Sequence, residues 1–175
     1  MMSDKIFLIG FMGSGKSTHG KKLAKALQKP FIDLDNYIEK KEGITVDEIF
    51  STKGEDYFRE KESEYLKQVI ARYPKSVVSL GGGTPCFNNN ITQILKSGTA
   101  VYIEMPAESL HYRLTQSENK RPLLKDKSLE EGLDFIKSLL RKREQFYLQA
   151  QLTINGINLT TDKLKEALSL YSAKA

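Results

Sequence analysis

A chain of 175 residues with 27 Lys and Arg against 22 Asp and Glu carries a formal charge of +5 at pH 7 and has the length of one domain. Its 39% apolar and 28% charged content excludes a low-hydrophobicity disordered chain, and 12 glycines with five prolines are too few for a collagen-like or linker-like composition. The single cysteine, Cys86, excludes an intrachain disulfide and a Cys-based zinc site and suits a reducing compartment.

No apolar run approaches the ~18 residues that span a bilayer, and the run Lys5-Ile6-Phe7-Leu8-Ile9-Gly10 is too short for a secretory signal. The expectation is one soluble cytoplasmic domain over residues 1–175 without a membrane partner. Lys21, Lys22, Lys25 and Lys29 spread along a predicted helix as a solvated face. The modest positive charge therefore points to phosphorylated small molecules rather than to nucleic acid.

In chain order, the first element is the apolar strand Ile6–Ile9, followed by a turn and a helical run from Thr18 to Leu27. Phe31–Leu34 reads as a second strand, and Thr45-Val46-Asp47-Glu48 has the spacing of a capping box opening a helix. Gly54 falls where a helix needs a left-handed C-terminal residue, and a further helix presents Phe58, Tyr65, Leu66 and Val69 to the core. Val77–Leu80 is the third strand and runs into Gly81-Gly82-Gly83. After a helix closed at Gly98 comes the fourth strand, Ala100–Ile103.

The stretch Thr115–Lys127 is polar and holds Pro122, which disfavours helix at Arg121; a loop of that length reads as an active-site lid. Ser128-Leu129-Glu130-Glu131 opens another helix with a capping box, Leu152–Ile154 is the fifth strand, and Leu164, Ala167, Leu168 and Tyr171 form one face of a last helix. The strands are nearly continuously apolar, as in a parallel sheet covered on both faces. The expected fold is α/β, a three-layer sandwich around a five-stranded parallel sheet.

Gly10-Phe11-Met12-Gly13-Ser14-Gly15-Lys16-Ser17 matches G-x-x-x-x-G-K-[ST] between a strand and a helix, the context that confirms a P-loop (Walker A motif). Glycines let successive backbone N–H groups turn toward a polyphosphate, and the helix adds its N-terminal donors and positive dipole end. Lys16 would bridge the β- and γ-phosphates and Ser17 would ligate magnesium, so the loop points to a nucleoside triphosphate with Mg2+. A GTPase would need Asn-Lys-x-Asp, whereas Asn119-Lys120-Arg121-Pro122 has proline in place of the carboxylate. A mechanical ATPase would end its third apolar run in Asp rather than in glycines. A small kinase remains.

On the acceptor side, Asp33 and Asp35 alternate along the predicted second strand and so point to one face at its carboxyl end, where open α/β sheets bind ligands. They could hold magnesium or orient and deprotonate an acceptor hydroxyl; equally, Asp35 could cap a helix beginning near Asn36. Arg59 could pair with Glu55 or Glu62 at helical spacing, Gly81-Gly82-Gly83 could admit a ligand to the backbone or be a flexible turn, and Arg143 could be surface charge.

Together these strings resemble shikimate kinase. The resemblance runs from about Lys5 to Ile154 through GFMGSGKST (Gly10–Thr18), FIDLD (Phe31–Asp35), FRE (Phe58–Glu60), LGGG (Leu80–Gly83), RPLL (Arg121–Leu124) and REQFY (Arg143–Tyr147). It implies a nucleoside-monophosphate-kinase-like P-loop fold and transfer of the ATP γ-phosphoryl to the 3-hydroxyl of shikimate, on the route to chorismate. It further implies a monomer with an acceptor-binding region at about 33–62 and a lid at about 115–127.

Position by position, it implies that Gly13, Ser14, Gly15, Lys16, Ser17 and Thr18 bind nucleotide and that Arg113 stacks on adenine. Arg121 would be the lid cation that stabilises developing charge. Asp35 would act as base or orienter, Arg59 and Arg143 would pair with the shikimate carboxylate, and Gly82 would offer its N–H, with Gly81 and Gly83 shaping the turn. Asp33 would hold magnesium through water beside Ser17, leaving Lys16, Asp35 and Arg121 as the catalytic set. Tyr147-Leu148-Gln149-Ala150 is one residue shorter than the family's Tyr-x-x-x-Ala, so no adenine contact is carried over for residues 155–162. Cys86 reads as a free thiol close enough to the pocket for alkylation, and His19 and His111 as structural or surface residues. The competing readings are a gluconate or nucleoside-monophosphate kinase, and a nucleotide-dependent RNA-binding or regulatory module.

Overall fold

The structure, a computed structural model, describes residues 5–116 and 127–174. Five strands, β1 (Lys5–Ile9), β2 (Phe31–Asp33), β3 (Ser76–Ser79), β4 (Thr99–Glu104) and β5 (Leu152–Asn155), form one sheet in the order β2-β3-β1-β4-β5. Every pairing is parallel. The helices are α1 (Lys16–Ala26), α2 (Leu34–Glu42), α3 (Val46–Arg72), α4 (Asn90–Ser97), α5 (Ala107–Gln116), α6 (Leu129–Tyr147) and α7 (Thr161–Lys174), with a 3-10 turn at Thr84–Cys86.

Alternation along the strands divides the core in two. Ile6, Leu8, Val77, Val101 and Ile103 face α1 and α7 through Leu23, Ala24, Leu164 and Leu168. Phe7, Ile9, Val78, Ala100 and Tyr102 face the opposite way, toward Ile38, Leu66, Ile94, Leu110 and Ile136 of α2, α3, α4, α5 and α6. Both faces of the sheet are therefore covered, giving the three layers that the apolar strands imply.

Both capping boxes form: Thr45 accepts from Glu48 N while Glu48 accepts from Thr45 N, and Ser128 and Glu131 do the same. Gly54, at φ +83° and ψ 170°, is non-helical and divides α3 into two helical stretches across a kink, so a helix does end there as the sequence implies, with a second one following directly. Glu42, the last residue of α2, spans that kink by accepting from Lys53 (3.2 Å) on one side and from Tyr57 (2.8 Å) and Tyr65 (2.7 Å) on the other. Hydrogen bonds from Tyr65 and then Tyr57 bring its carboxyl down to about 2. Gly98 differs from expectation: its φ of 174° is extended, and glycine is required because a Cβ would stand 2.4 Å from the Lys5 carbonyl oxygen.

The second strand corrects the reading of FIDLD. β2 stops at Asp33, and Leu34 already begins α2. Asp33 and Asp35 thus do not alternate on a strand. Asp33 is the N-cap of α2 and accepts from Asn36 N at 3.3 Å, while Asp35 sits in the first helical turn. An aspartate at a strand end satisfies the free N–H groups of the helix that follows, and this capping takes precedence over continued alternation. Of the expected lid, Thr115 and Gln116 belong to α5. Residues 117–126, with Arg121, lie outside the described residues.

Candidate active site

The P-loop leaves the carboxyl end of the central strand β1 and enters α1 two residues earlier than expected, at Lys16. Gly13 (φ +81°) and Gly15 (φ +90°) take left-handed angles, which frees the loop to curl back over the start of α1. Inside the curl, the buried Lys16 ammonium donates to the carbonyls of Gly10 (2.8 Å) and Phe11 (2.7 Å). The Ser14 hydroxyl is buried with no hydrogen-bond partner among the described residues.

Register explains what Ser17 meets. Asp33 of β2 lies beside Ser79 of β3, and Ser79 beside Leu8 of β1. Ser17 Oγ on α1 donates to Asp33 Oδ2 at 2.5 Å and lies 3.2 Å from Ser79 Oγ. A cleft of about 380 Å³ opens above these groups, lined by Gly13, Lys16, Ser17 and Thr18 on one side and by Asp33, Asp35, Gly81 and Gly82 on the other. Arg113 of α5 also borders it and reaches the Gly13 carbonyl at 3.4 Å.

The glycine turn after β3 gathers the remaining candidates. A Cβ on Gly81 would stand 3.0 Å from Asp35 Oδ1, one on Gly82 3.1 Å from Arg143 Nη1, and one on Gly83 2.6 Å from Arg59 Nη2. Asp35, Arg143 and Arg59 thus approach three consecutive residues that lack side chains. Arg59 takes both helical partners at once, Glu62 (2.8 Å) and Glu55 (3.2 Å), and lies 4.0 Å from the centre of the Phe87 ring. Glu62 is 1% exposed and also accepts from Thr84 Oγ1 at 2.6 Å, so it fixes Arg59 against the glycine turn. Arg143 is not surface charge: its Nη1 is buried with no hydrogen-bond partner among the described residues, and its guanidinium stands over Phe11.

One expectation changes here, and the reading of His19 as structural gains a place. Burial pushes the Cys86 thiol up to about 11, against the opposing pull of Arg143 and Arg59, so it is not a ready nucleophile at neutral pH. His19 packs on the P-loop: its Cδ2 lies 3.0 Å from where a Gly15 Cβ would stand, and its Nδ1 is buried without a partner among the described residues. Burial, then Lys22 and Arg113, hold its pKa below the ordinary histidine value. Sequence reasoning also missed Tyr147, whose hydroxyl donates to the Gly82 carbonyl at 2.5 Å. Its position four residues after Arg143, on the same helical face, was the available signal.

A P-loop at the carboxyl end of a central parallel strand, facing a cleft with a carboxylate and two arginines beyond it, defines a small P-loop kinase. The shikimate kinase family model matches residues 12–170. The shikimate kinase of Bacteroides fragilis is 41% identical over 177 residues, covering 97% of this chain and 98% of that protein. Among solved structures, the shikimate kinase of Bacteroides thetaiotaomicron superposes with a TM-score of 0.90 at 40% identity, covering 94% and 98% of the two chains. That of Acinetobacter baumannii, in complex with shikimate, superposes with a TM-score of 0.85 at 33% identity, covering 97% and 93%. The chain belongs to the shikimate kinase family.

Proposed function

We propose that the cleft aligns ATP and shikimate so that the γ-phosphoryl group passes to the 3-hydroxyl of shikimate, giving shikimate 3-phosphate and ADP. The kinase activity follows from membership of the family; the assignment of individual residues is our reading of the site. The P-loop amides and the start of α1 hold the triphosphate, with Lys16 as the positive charge beside it. Arg113 serves the adenine side of the cleft, and Arg121 is assigned the charge that develops on the transferring group. Asp35 orients the acceptor hydroxyl and takes its proton as the new P–O bond forms and the bond to ADP breaks. Alignment and charge stabilisation supply most of such a reaction's acceleration.

One observation carries the acceptor assignment: the buried Arg143 Nη1 that no described residue satisfies, beside Gly82. A buried guanidinium N–H without a partner is rare and unfavourable, and a planar carboxylate answers it with paired charge-assisted bonds. Arg59, on the other side of the same turn, supplies a second cation for that anion.

The residues present also fit magnesium. No cluster of three His, Cys, Asp or Glu side chains able to hold a metal occurs among the described residues, and magnesium does not require one. Magnesium instead keeps several waters and takes one or two protein oxygens together with phosphate oxygens. Ser17 Oγ and Asp33 Oδ2, 2.5 Å apart beside the P-loop, are such a donor pair. When bound, the ion would neutralise charge on the β- and γ-phosphates.

The test is ADP release coupled to NADH oxidation, with shikimate, quinate, gluconate and AMP offered separately. Shikimate should stimulate release strongly, and stimulation by gluconate or AMP in its place would overturn the reading.

A further inference from the structure

The turn that brings the acceptor groups together has three glycines and so no side chains to restrain its backbone. Its carbonyls are nevertheless all engaged. Gly81 O accepts from Thr84 N (3.1 Å) and Gly83 O from Cys86 N (2.9 Å), both within the turn. Gly82 O accepts from the hydroxyl of Tyr147, which is 65 positions away on α6. Gly81 O and Gly82 O belong to the two peptide planes that flank Gly82. Thr84 N holds the plane that carries the Gly82 N–H and Tyr147 holds the plane that follows it, so the two bonds together fix the Gly82 dihedrals and with them the backbone that presents this N–H.

Tyr147 is suited to this task. It is fully buried, and its ring lies 5.1 Å from that of Tyr102. A phenol in such surroundings must donate to a partner. Arg143, one helical turn earlier on α6, brings Nη1 to 3.1 Å from the Cβ position of Gly82. The groups facing the phenol are Arg143, Cys86 and Tyr102; burial raises its pKa and Arg143 opposes the rise, which keeps the proton on oxygen at neutral pH.

We propose that Tyr147 is a positioning residue for the acceptor: its hydroxyl locks the Gly82 peptide to α6, so that the Gly82 N–H and the Arg143 guanidinium are presented to the substrate in one fixed relation. The proposal rests on the reading of Gly82 and Arg143 as acceptor contacts given above. It assigns Tyr147 no contact with either substrate. Its effect falls chiefly on shikimate binding, because Gly82 and Arg143 are read as acceptor contacts, even though the Gly82 backbone also lies against Met12 N of the P-loop.

The experiment compares Tyr147→Phe with the parent chain by steady-state kinetics, varying shikimate at saturating ATP and ATP at saturating shikimate. Loss of one buried hydrogen bond should raise the shikimate KM about five- to tenfold, with the ATP KM and kcat changed less than about twofold. Unchanged constants overturn the proposal, as does a parallel rise of both KM values, which would mark Tyr147 as a core residue only. If Tyr147→Phe does not fold, 3,5-difluorotyrosine at position 147 keeps the ring and hydroxyl while making the phenol more acidic. As a stronger hydrogen-bond donor it should shift the shikimate KM from the parent value with the ATP KM unaltered, and identical constants overturn the proposal. Absence of shikimate-dependent ADP release in the parent chain would instead overturn the functional reading, so the two failures are distinguishable.

Discussion

Arg59 lies against the backbone of Gly83 so closely that a methyl group there would stand 2.6 Å from Nη2 and 2.7 Å from Nη1. The guanidinium has little room to yield, being tied to the buried Glu62 at 2.8 Å and stacked on Phe87 at 4.0 Å. Yet the backbone of Gly83, at φ −89° and ψ −18°, suits alanine. Gly83→Ala should therefore fold and displace Arg59. Steady-state kinetics should show a shikimate KM raised about tenfold, the equivalent of ~1.4 kcal/mol, with the ATP KM unaltered. An unchanged shikimate KM would remove Arg59 from the acceptor site.

On the proposed reading, Lys16 serves the nucleotide and Arg143 the acceptor. Lys16→Ala removes the charge held between the Gly10 and Phe11 carbonyls and should lower kcat by about 10²- to 10³-fold. Arg143→Ala should raise the shikimate KM by roughly 30- to 100-fold, as expected for ~2 to 3 kcal/mol of charge-assisted hydrogen bonding, while ATP binding measured by calorimetry stays within about twofold. The reverse pattern, with Arg143→Ala weakening ATP and sparing shikimate, would place that arginine on the nucleotide side.

Glu42 predicts how the acceptor half of the fold responds to acid. Its carboxyl, 7% exposed, is held at about 2 against an ordinary value of 4.5, chiefly by the Tyr65 and Tyr57 hydroxyls. The folded state thus favours the carboxylate more than the unfolded state does. The resulting stability, of the order of 2 to 3 kcal/mol, is fully present above about pH 4.5 and is lost as pH falls toward about 2. Glu42→Gln should lower stability at pH 7, and its deficit against the parent should close across that acid window, as followed by urea unfolding at successive pH values. A deficit independent of pH would mean that the carboxylate's charge contributes nothing.

Much of this was legible from local chemistry. The P-loop announces itself because glycine spacing, lysine and hydroxyl must occur together at one strand–helix junction, and the strands because burial on both faces leaves nearly unbroken apolar runs. Thr45 and Ser128 cap as expected because a capping box is complete within four residues. Asp33 and Asp35 were misread because two local tendencies compete at a strand end and capping prevails there. His19 against Gly15, Tyr147 on Gly82 and the Lys5 carbonyl beneath Gly98 escaped because each depends on chain segments meeting in space, which no periodicity records.

The sheet order has a consequence for how the molecule opens. β1 has a partner on each side and five fully buried residues, so the P-loop is anchored where backbone amides should exchange with solvent most slowly. The segment carrying Asp35 and Arg59 instead follows β2, a three-residue strand at the border of the sheet. Its amides should exchange sooner. On the proposed reading of the site, one wall of the cleft should then behave as a fixed anvil and the other as a looser jaw.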